Sequence, residues 1–434
     1  MPPVTTSVSH RAHLRRSVPM RHAVTRHHHA RHTARIALLV ALIGCEGRAR
    51  DTDPIVVRDS SGVAIVANDL TRLDATCTVD PTPAVSIGVD AGQDEDVLHR
   101  VFGATRLTDG TIVVVNGGTQ ELRFFGADGR FLRAAGREGR GPGEFADAFY
   151  IHWLPGDTLY VGDYRPFQFL VFGPDGTWVR TVRPTPLYPN SPATMHVLRD
   201  GRLMLGEQDA FERDQPAAFR ERTMTVVLHA SDGTLTDTVA QLPNGRWGQT
   251  EVGQRYPWIY PLFESFAVSA ARDDRIVLGH ASETELRVHR ATDGLPLDRI
   301  IRWTVGDRTV RPEDISAERA RLGAQYPDLA PEQRAVLVDP LLSEQRPVAD
   351  RFPAFGRLRL ARDGRLWVRA YPRPQDPPEH RWLAFGADGR FACTLVTPRY
   401  DDVLEFGADY LLTHERDSLG VERVRQYPLS TPAR

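Results

Sequence analysis

Five side chains able to bind a metal or a hydrogen-bonding ligand recur at one register of this chain. Aligning its β-branched and aromatic runs on their Asp-Gly turns brings Asn116, Asp163, Glu207, His280, Ala370 and His414 to matching positions. They directly follow Val115, Gly162, Gly206, Gly279, Arg369 and Thr413. Carboxylate, carboxamide and imidazole groups around one opening would suit a divalent cation, calcium or zinc, because a mixed oxygen and nitrogen set is compatible with several metals. Asp163, Glu207 and His280 are the main metal candidates. The same residues have a second reading, since a polar side chain at a strand end often caps the turn by bonding nearby backbone N–H groups. Residues 244–263 add a cluster of rings, Trp247, Tyr256, Trp258, Tyr260 and Phe263. These would stack on a sugar, pack a peptide or cover a sheet edge.

The elements that position these residues follow from an internal repeat. Phe125-Gly-Ala-Asp-Gly-Arg-Phe131 recurs letter for letter at Phe385-Gly-Ala-Asp-Gly-Arg-Phe391, with a near copy at Phe172-Gly-Pro-Asp-Gly176. Asp-Gly between two β-rich runs is the signature of a tight hairpin. Reading outward gives about four strands in roughly 35 to 50 residues, the period of a propeller blade. The pattern recurs through Asp175-Gly176, Asp200-Gly201, Asp232-Gly233, Asp293-Gly294, Asp363-Gly364 and Asp388-Gly389. The C-terminal stretch supplies only three strands, so Ala84-Val-Ser-Ile-Gly88 is expected to complete the last sheet. Closure of this kind removes exposed strand edges. The predicted fold is all-β, a six-bladed β-propeller closed by an N-terminal strand. His152 and Trp153 then fall on an inner strand, where they would face the channel or pack.

The run Gly136-Arg-Glu-Gly-Arg-Gly-Pro-Gly-Glu-Phe145, followed by a strand and Asp163, resembles the NHL-type repeat of six-bladed propellers. Over residues of about 55 to 430 the chain is similar to the bacterial lipoproteins described as six-bladed β-propeller proteins. Such propellers host binding modules, lactonases and lyases alike, so the fold does not select the function. The metal-dependent gluconolactonase class holds its ion with Glu, Asn and Asp from separate blades. The resemblance does not extend to that pattern residue by residue.

The first 45 residues are of another kind. Seven arginines and seven histidines without an acid precede Ile36-Ala-Leu-Leu-Val-Ala-Leu-Ile-Gly44, an apolar run too short to span a bilayer and suited to a signal-peptide core. Leu42-Ile-Gly-Cys45 resembles the bacterial lipobox, which implies lipidation of Cys45. Met20 is an alternative start. The expected division is a signal peptide at 1–45, a linker and hairpin at 46–83, and the propeller at 84–430.

Removing residues 1–44 takes away seven positive charges and no negative one, moving the formal charge from −2 to −9. An acidic domain is a poor partner for nucleic acid, whose binding rests on phosphate neutralisation. All 54 basic residues are Arg, which more readily reflects genome composition than selection for guanidinium chemistry. Cys77 and Cys393 remain as an even pair in an exported chain. They would form a disulfide or be two unrelated small buried residues, since connectivity does not follow from two positions alone.

Residues 311–351 turn rich in Ala, Glu, Arg and Leu, with helix starts expected at Ser316-Ala-Glu-Arg319 and Pro331-Glu-Gln-Arg334. This helical insertion would lid the channel, present a partner surface or simply pack. No Gly-x-Ser-x-Gly elbow, His-Glu-x-x-His or Cys-x-x-Cys occurs, which removes three common catalytic and metal signatures. The expectation is a monomeric, lipid-anchored envelope protein, with the membrane reached only through its anchor. It would use one propeller face to bind a protein, peptide or glycan. The alternative is a metal-dependent hydrolase, lactonase or lyase with its site at the channel.

Overall fold

The two identical heptapeptides fold alike. In the first, Gly126 N–H donates to Arg130 O and Gly129 N–H to Gly126 O, both at 2.8 Å. Asp128 Oδ1 accepts from Arg130 N–H at 3.1 Å. In the second, Gly386, Gly389 and Asp388 repeat the bonds at 2.8, 2.8 and 3.2 Å. Gly129 and Gly389 take φ of 82° and 81°, a left-handed conformation costly for any residue with a Cβ. Each turn joins the third strand of a sheet to the fourth, Glu121–Phe125 to Phe131–Ala135 and Glu379–Phe385 to Phe391–Pro398.

The computed structural model describes residues 53–186, 188, 192–209, 218–250, 257–325, 329–400 and 402–432. Residues 1–52, with Cys45, and Tyr256 lie outside the described residues. The fold is mostly β, built from small antiparallel sheets. Each begins with an inner strand, and these touch in the order Val101–Arg106, Ala148–Leu154, Thr194–Val197, Ala267–Arg272, Phe355–Leu360, Asp402–Phe406 and back to Val101–Arg106. Val85–Ile87 pairs with Glu422–Ser430, with Ile87 opposite Val424, so residues near the start complete the C-terminal sheet.

Apolar clusters fill the space between successive sheets. Val113, Val115, Phe124 and Phe172 belong to one, while Val114, Phe125 and Val424 belong to the next. Alternate residues of one strand thus enter opposite cores, and Ile112 to Val115 are all 0% exposed. A strand covered on both faces reads as a continuous apolar run rather than an alternating one. Burying each such side chain contributes on the order of 1.5–3 kcal/mol.

The N-terminal segment is more than a linker. Ile55–Ser60 and Val63–Asn68 form a hairpin whose second strand runs parallel to Leu297–Trp303. Asn68, 2% exposed, donates to Arg302 O and Gly389 O and accepts from Phe391 N–H at 2.7 Å. Thr76–Val79 pairs with both Phe391–Pro398 and Glu422–Ser430. Cys77 and Cys393 form a disulfide across this junction, their Cα atoms 5.5 Å apart.

The insertion comprises α1 (Pro312–Ala324), α2 (Pro331–Leu337) and α3 (Asp339–Leu342). The expected start of α1 at Ser316 is corrected to Pro312, because Pro fits the first helical position and Asp314 Oδ2 accepts the Arg311 N–H at 2.9 Å. Leu322 of α1 packs with Phe263 and Phe352. Among the described residues no helix is long and apolar enough to cross a membrane.

Candidate functional site

The strand-end residues singled out from the sequence serve the loops beside them. Asn116 Oδ1 accepts from His99 N–H at 2.8 Å, and its Nδ2 donates to Thr119 Oγ1. Asp163, 1% exposed, accepts from the N–H groups of Ala146 and Asp147 and from Gln168 Nε2. Glu207 accepts from the Tyr188 hydroxyl at 2.6 Å. His280 Nδ1 meets Ser282 Oγ at 2.6 Å, and His414 Nε2 lies 3.4 Å from Glu422.

These positions lie at or near the ends of second strands, and Asn116 and Asp163 bind the segment leading into the inner strand. Among the described residues no group of three or more His, Cys, Asp or Glu is placed to hold a metal ion. Asp163, Glu207 and His280 are therefore not brought together as a metal site.

The side chains around the channel come from the inner strands. They enclose a cavity of about 650 Å³ lined by Tyr150, His152, Thr194, His196, Ser269, Arg272, Arg357, Arg359, Asp402 and Glu405 among others. That is the size of a small-ligand site. The period-two pleat puts Tyr150 with His152, Thr194 with His196, and Arg357 with Arg359 on common faces. Thr194 Oγ1, His196 Nε2 and Ser269 Oγ form a hydrogen-bonded triangle with sides of 2.8–3.2 Å. His152 Nδ1 meets the Tyr150 hydroxyl at 3.2 Å, and the ring also interacts with the Val197 backbone.

Charge in the channel is unbalanced. Asp402 pairs with Arg357 and lies 3.5 Å from Arg359. Glu405 is taken by Arg362 at 3.0 Å and accepts from Thr105 Oγ1 and the Tyr410 hydroxyl. Arg272 donates through Nε to Leu360 O at 3.1 Å, and among the described residues it has no carboxylate partner. Arg359 keeps 32% of its side-chain surface open, and desolvation deep in the channel lowers its pKa.

Burial, then Arg272, holds His152 well below the usual imidazole range. Burial, then Arg359, pushes His196 down to about 3. Burial raises the Tyr150 phenol despite the opposing pull of Arg272 and Arg359. At neutral pH the walls thus present neutral imidazoles, a neutral phenol and an excess of guanidinium.

Rings crowd the mouth. Trp247, Tyr260 and Phe266 lie 5.0–6.1 Å apart between centroids and line the cavity. Trp258 is set apart on the short strand Trp258–Ile259 beside Arg222. Trp153 faces Arg362, whose guanidinium lies 3.9 Å from the ring centroid.

Tyr150, Thr194, His196, Ser269, Arg272, Arg357 and Arg359 were missed in the sequence. Their signal is polar residues at alternate positions of apolar strands, as in Phe149-Tyr-Ile-His-Trp and Gly356-Arg-Leu-Arg-Leu. The alternation becomes informative once the innermost strand of each sheet is known.

No protein-family model matches the chain, and no curated protein matches it by sequence. Among solved structures, a protein of Bacteroides fragilis described as exported aligns at 11% identity over 85% of this chain and 100% of that one, with a TM-score of 0.46. A member of the duf4221 family from Bacteroides vulgatus aligns at 10% identity over 83% and 100%, TM-score 0.45. Virginiamycin B lyase from Staphylococcus aureus aligns at 8% over 82% and 99%, TM-score 0.38. Likenesses this distant carry nothing about activity.

Proposed function

We propose that the chain is an exported, monomeric binding protein, tethered by a lipid on Cys45, whose sheets form a six-bladed ring and whose channel takes an anion. The ligand is a small carboxylate, sulfate or phosphate group, free or at the end of a peptide or glycan. One observation carries this reading: a cavity of about 650 Å³ holds Arg272, Arg357 and Arg359 against the single carboxylate Asp402, with Glu405 already spent on Arg362. Guanidinium groups recognise oxyanions through paired, charge-assisted hydrogen bonds. The metal-dependent alternative is disfavoured at this place, because a divalent cation would enter a field that is already positive.

Titration calorimetry at low salt tests the reading, with sulfate and acetate against the neutral isostere acetamide. The anions are expected to bind and acetamide not to. Arg272→Gln and Arg359→Gln should each weaken sulfate binding by about tenfold or more, the scale of a hydrogen bond to a charged group, while thermal unfolding verifies that each variant folds. Equal binding of acetamide and acetate, or no loss in either folded variant, would overturn it.

A further inference from the structure

A second cavity, of about 430 Å³, lies beneath the helical insertion. Its apolar wall includes Leu262 and Phe263 of the loop after Trp258–Ile259, Leu322 of α1, Leu341 of α3 and Phe355 of an inner strand, while Glu318, Arg321, Arg346 and Arg373 also line it. It shares Tyr260, Phe266, Val268 and Gly356 with the channel cavity, so the two abut. At Gly356 the shared wall is thin. A Cβ built there would meet only Arg369 Nη2 at 3.8 Å and Tyr371 Cδ2 at 4.0 Å, leaving open space beside it.

The guanidinium excess is concentrated at this junction. Arg369, which lines the second cavity, stands opposite Arg357 in the strand register. Its Nε is buried without a partner. Arg399 lines the same cavity, and among the described residues neither Arg369 nor Arg399 has a carboxylate partner. Burial, then Arg369 and Arg399, lowers His380 to about 4, and its Nδ1 is also buried and unpartnered. Arg357, Arg359, Arg369 and Arg399 therefore gather around Asp402 alone. Four guanidinium groups, three of them partly buried and Arg399 exposed, outnumber the one carboxylate and favour an added anion, and the apolar part of the adjoining wall favours hydrocarbon.

We propose that the two cavities form one site for an amphipathic carboxylate, its head held by Arg357, Arg359 and Arg369 and its apolar chain lying beneath α1 and α3. This rests on the reading of the channel as an anion site and names the ligand class for it. Gly356 is the passage between head and tail compartments. Its backbone lies outside the left-handed region and a Cβ there meets only ordinary contacts, so a side chain at this position is expected to enter the passage.

The test is calorimetric titration of the exported chain with sulfate, acetate, hexanoate, decanoate and decanol. Affinity is expected to rise from acetate to decanoate by up to about fourfold per buried methylene, the equivalent of ~0.8 kcal/mol, with decanol binding far more weakly than decanoate. Gly356→Leu should flatten the chain-length series, with thermal unfolding verifying that the variant folds. If acetate and decanoate bind alike and both depend on Arg359, the amphipathic site is overturned and the anion channel stands. If neither sulfate nor any carboxylate binds, both fall. Decanol binding as well as decanoate, or a series untouched by Gly356→Leu, would overturn the joined site.

Discussion

His152 and His196 are kept neutral by the channel, and the pH response of the fold follows from them. His152 faces Arg272, His196, Arg362 and Tyr150; His196 faces Arg359, Arg272, Thr194 and Ser269. Their folded pKa values lie below the ordinary value near 6.5, so the unfolded chain takes up the protons first. Their stabilising contribution is complete above about pH 6.5 and is lost as pH falls toward about 3, the value for His196. Each group contributes a slope of at most about 1.4 kcal/mol per pH unit. Urea midpoints are expected to fall from pH 7 to pH 4, and His196→Asn should flatten part of that fall; an unchanged slope in this variant would count against the assignment. Asp163 makes the opposite point. With two backbone N–H groups and Gln168 satisfied by its carboxylate, Asp163→Ala is expected to lower unfolding free energy by about 1–3 kcal/mol and leave sulfate affinity unchanged. Its residue type and strand-end position were legible in the sequence. Its loop-bracing role needed the register that sets Asp163 against Ala148.

Hairpins are the elements the sequence displays most openly. Asp-Gly needs no tertiary context to favour a tight turn, and the two identical heptapeptides make the same bonds in separate sheets. Helices were harder to delimit. Composition marked the insertion, but the start of α1 depends on a bond between Arg311 N–H and the Asp314 carboxylate. Asp314 also accepts from Gln375 Nε2 at 3.1 Å, tying the helix to the loop after Leu366–Ala370. Asp314→Ala is expected to cost about 1 kcal/mol and to speed amide exchange in α1 selectively. Uniform acceleration across the inner strands would instead mean that the insertion is part of the ring's cooperative unit.

At the scale of the molecule, neighbouring sheets share apolar clusters and the inner strands close on themselves. The repeat exposed this plan because each unit carries its own turns. The channel chemistry stayed hidden because it belongs to no single unit, being assembled from strands as far apart as those of Thr105 and Glu405, 300 residues apart in sequence. The Cys77–Cys393 bond spans a sequence separation of 316 and fastens the N-terminal segment to the sheet of Phe391–Pro398. Removing it as Cys77→Ser with Cys393→Ser is expected to cost about 2–4 kcal/mol, read as a lower urea midpoint that reductant no longer alters. A midpoint equal to that of the oxidised wild type would show the bond to be thermodynamically idle.

The N-terminal pairings also impose an order on maturation. Val63–Asn68 needs Leu297–Trp303, Cys77 needs Cys393, and Val85–Ile87 needs Glu422–Ser430. A chain passing through a pore N-terminus first would carry these strands unpaired until residues 297–303, then Cys393, then residues 422–430, have followed. Non-local pairing of this kind delays folding. Residues 55–87 thus complete their pairing late in any N-to-C assembly, the last of it at Glu422–Ser430.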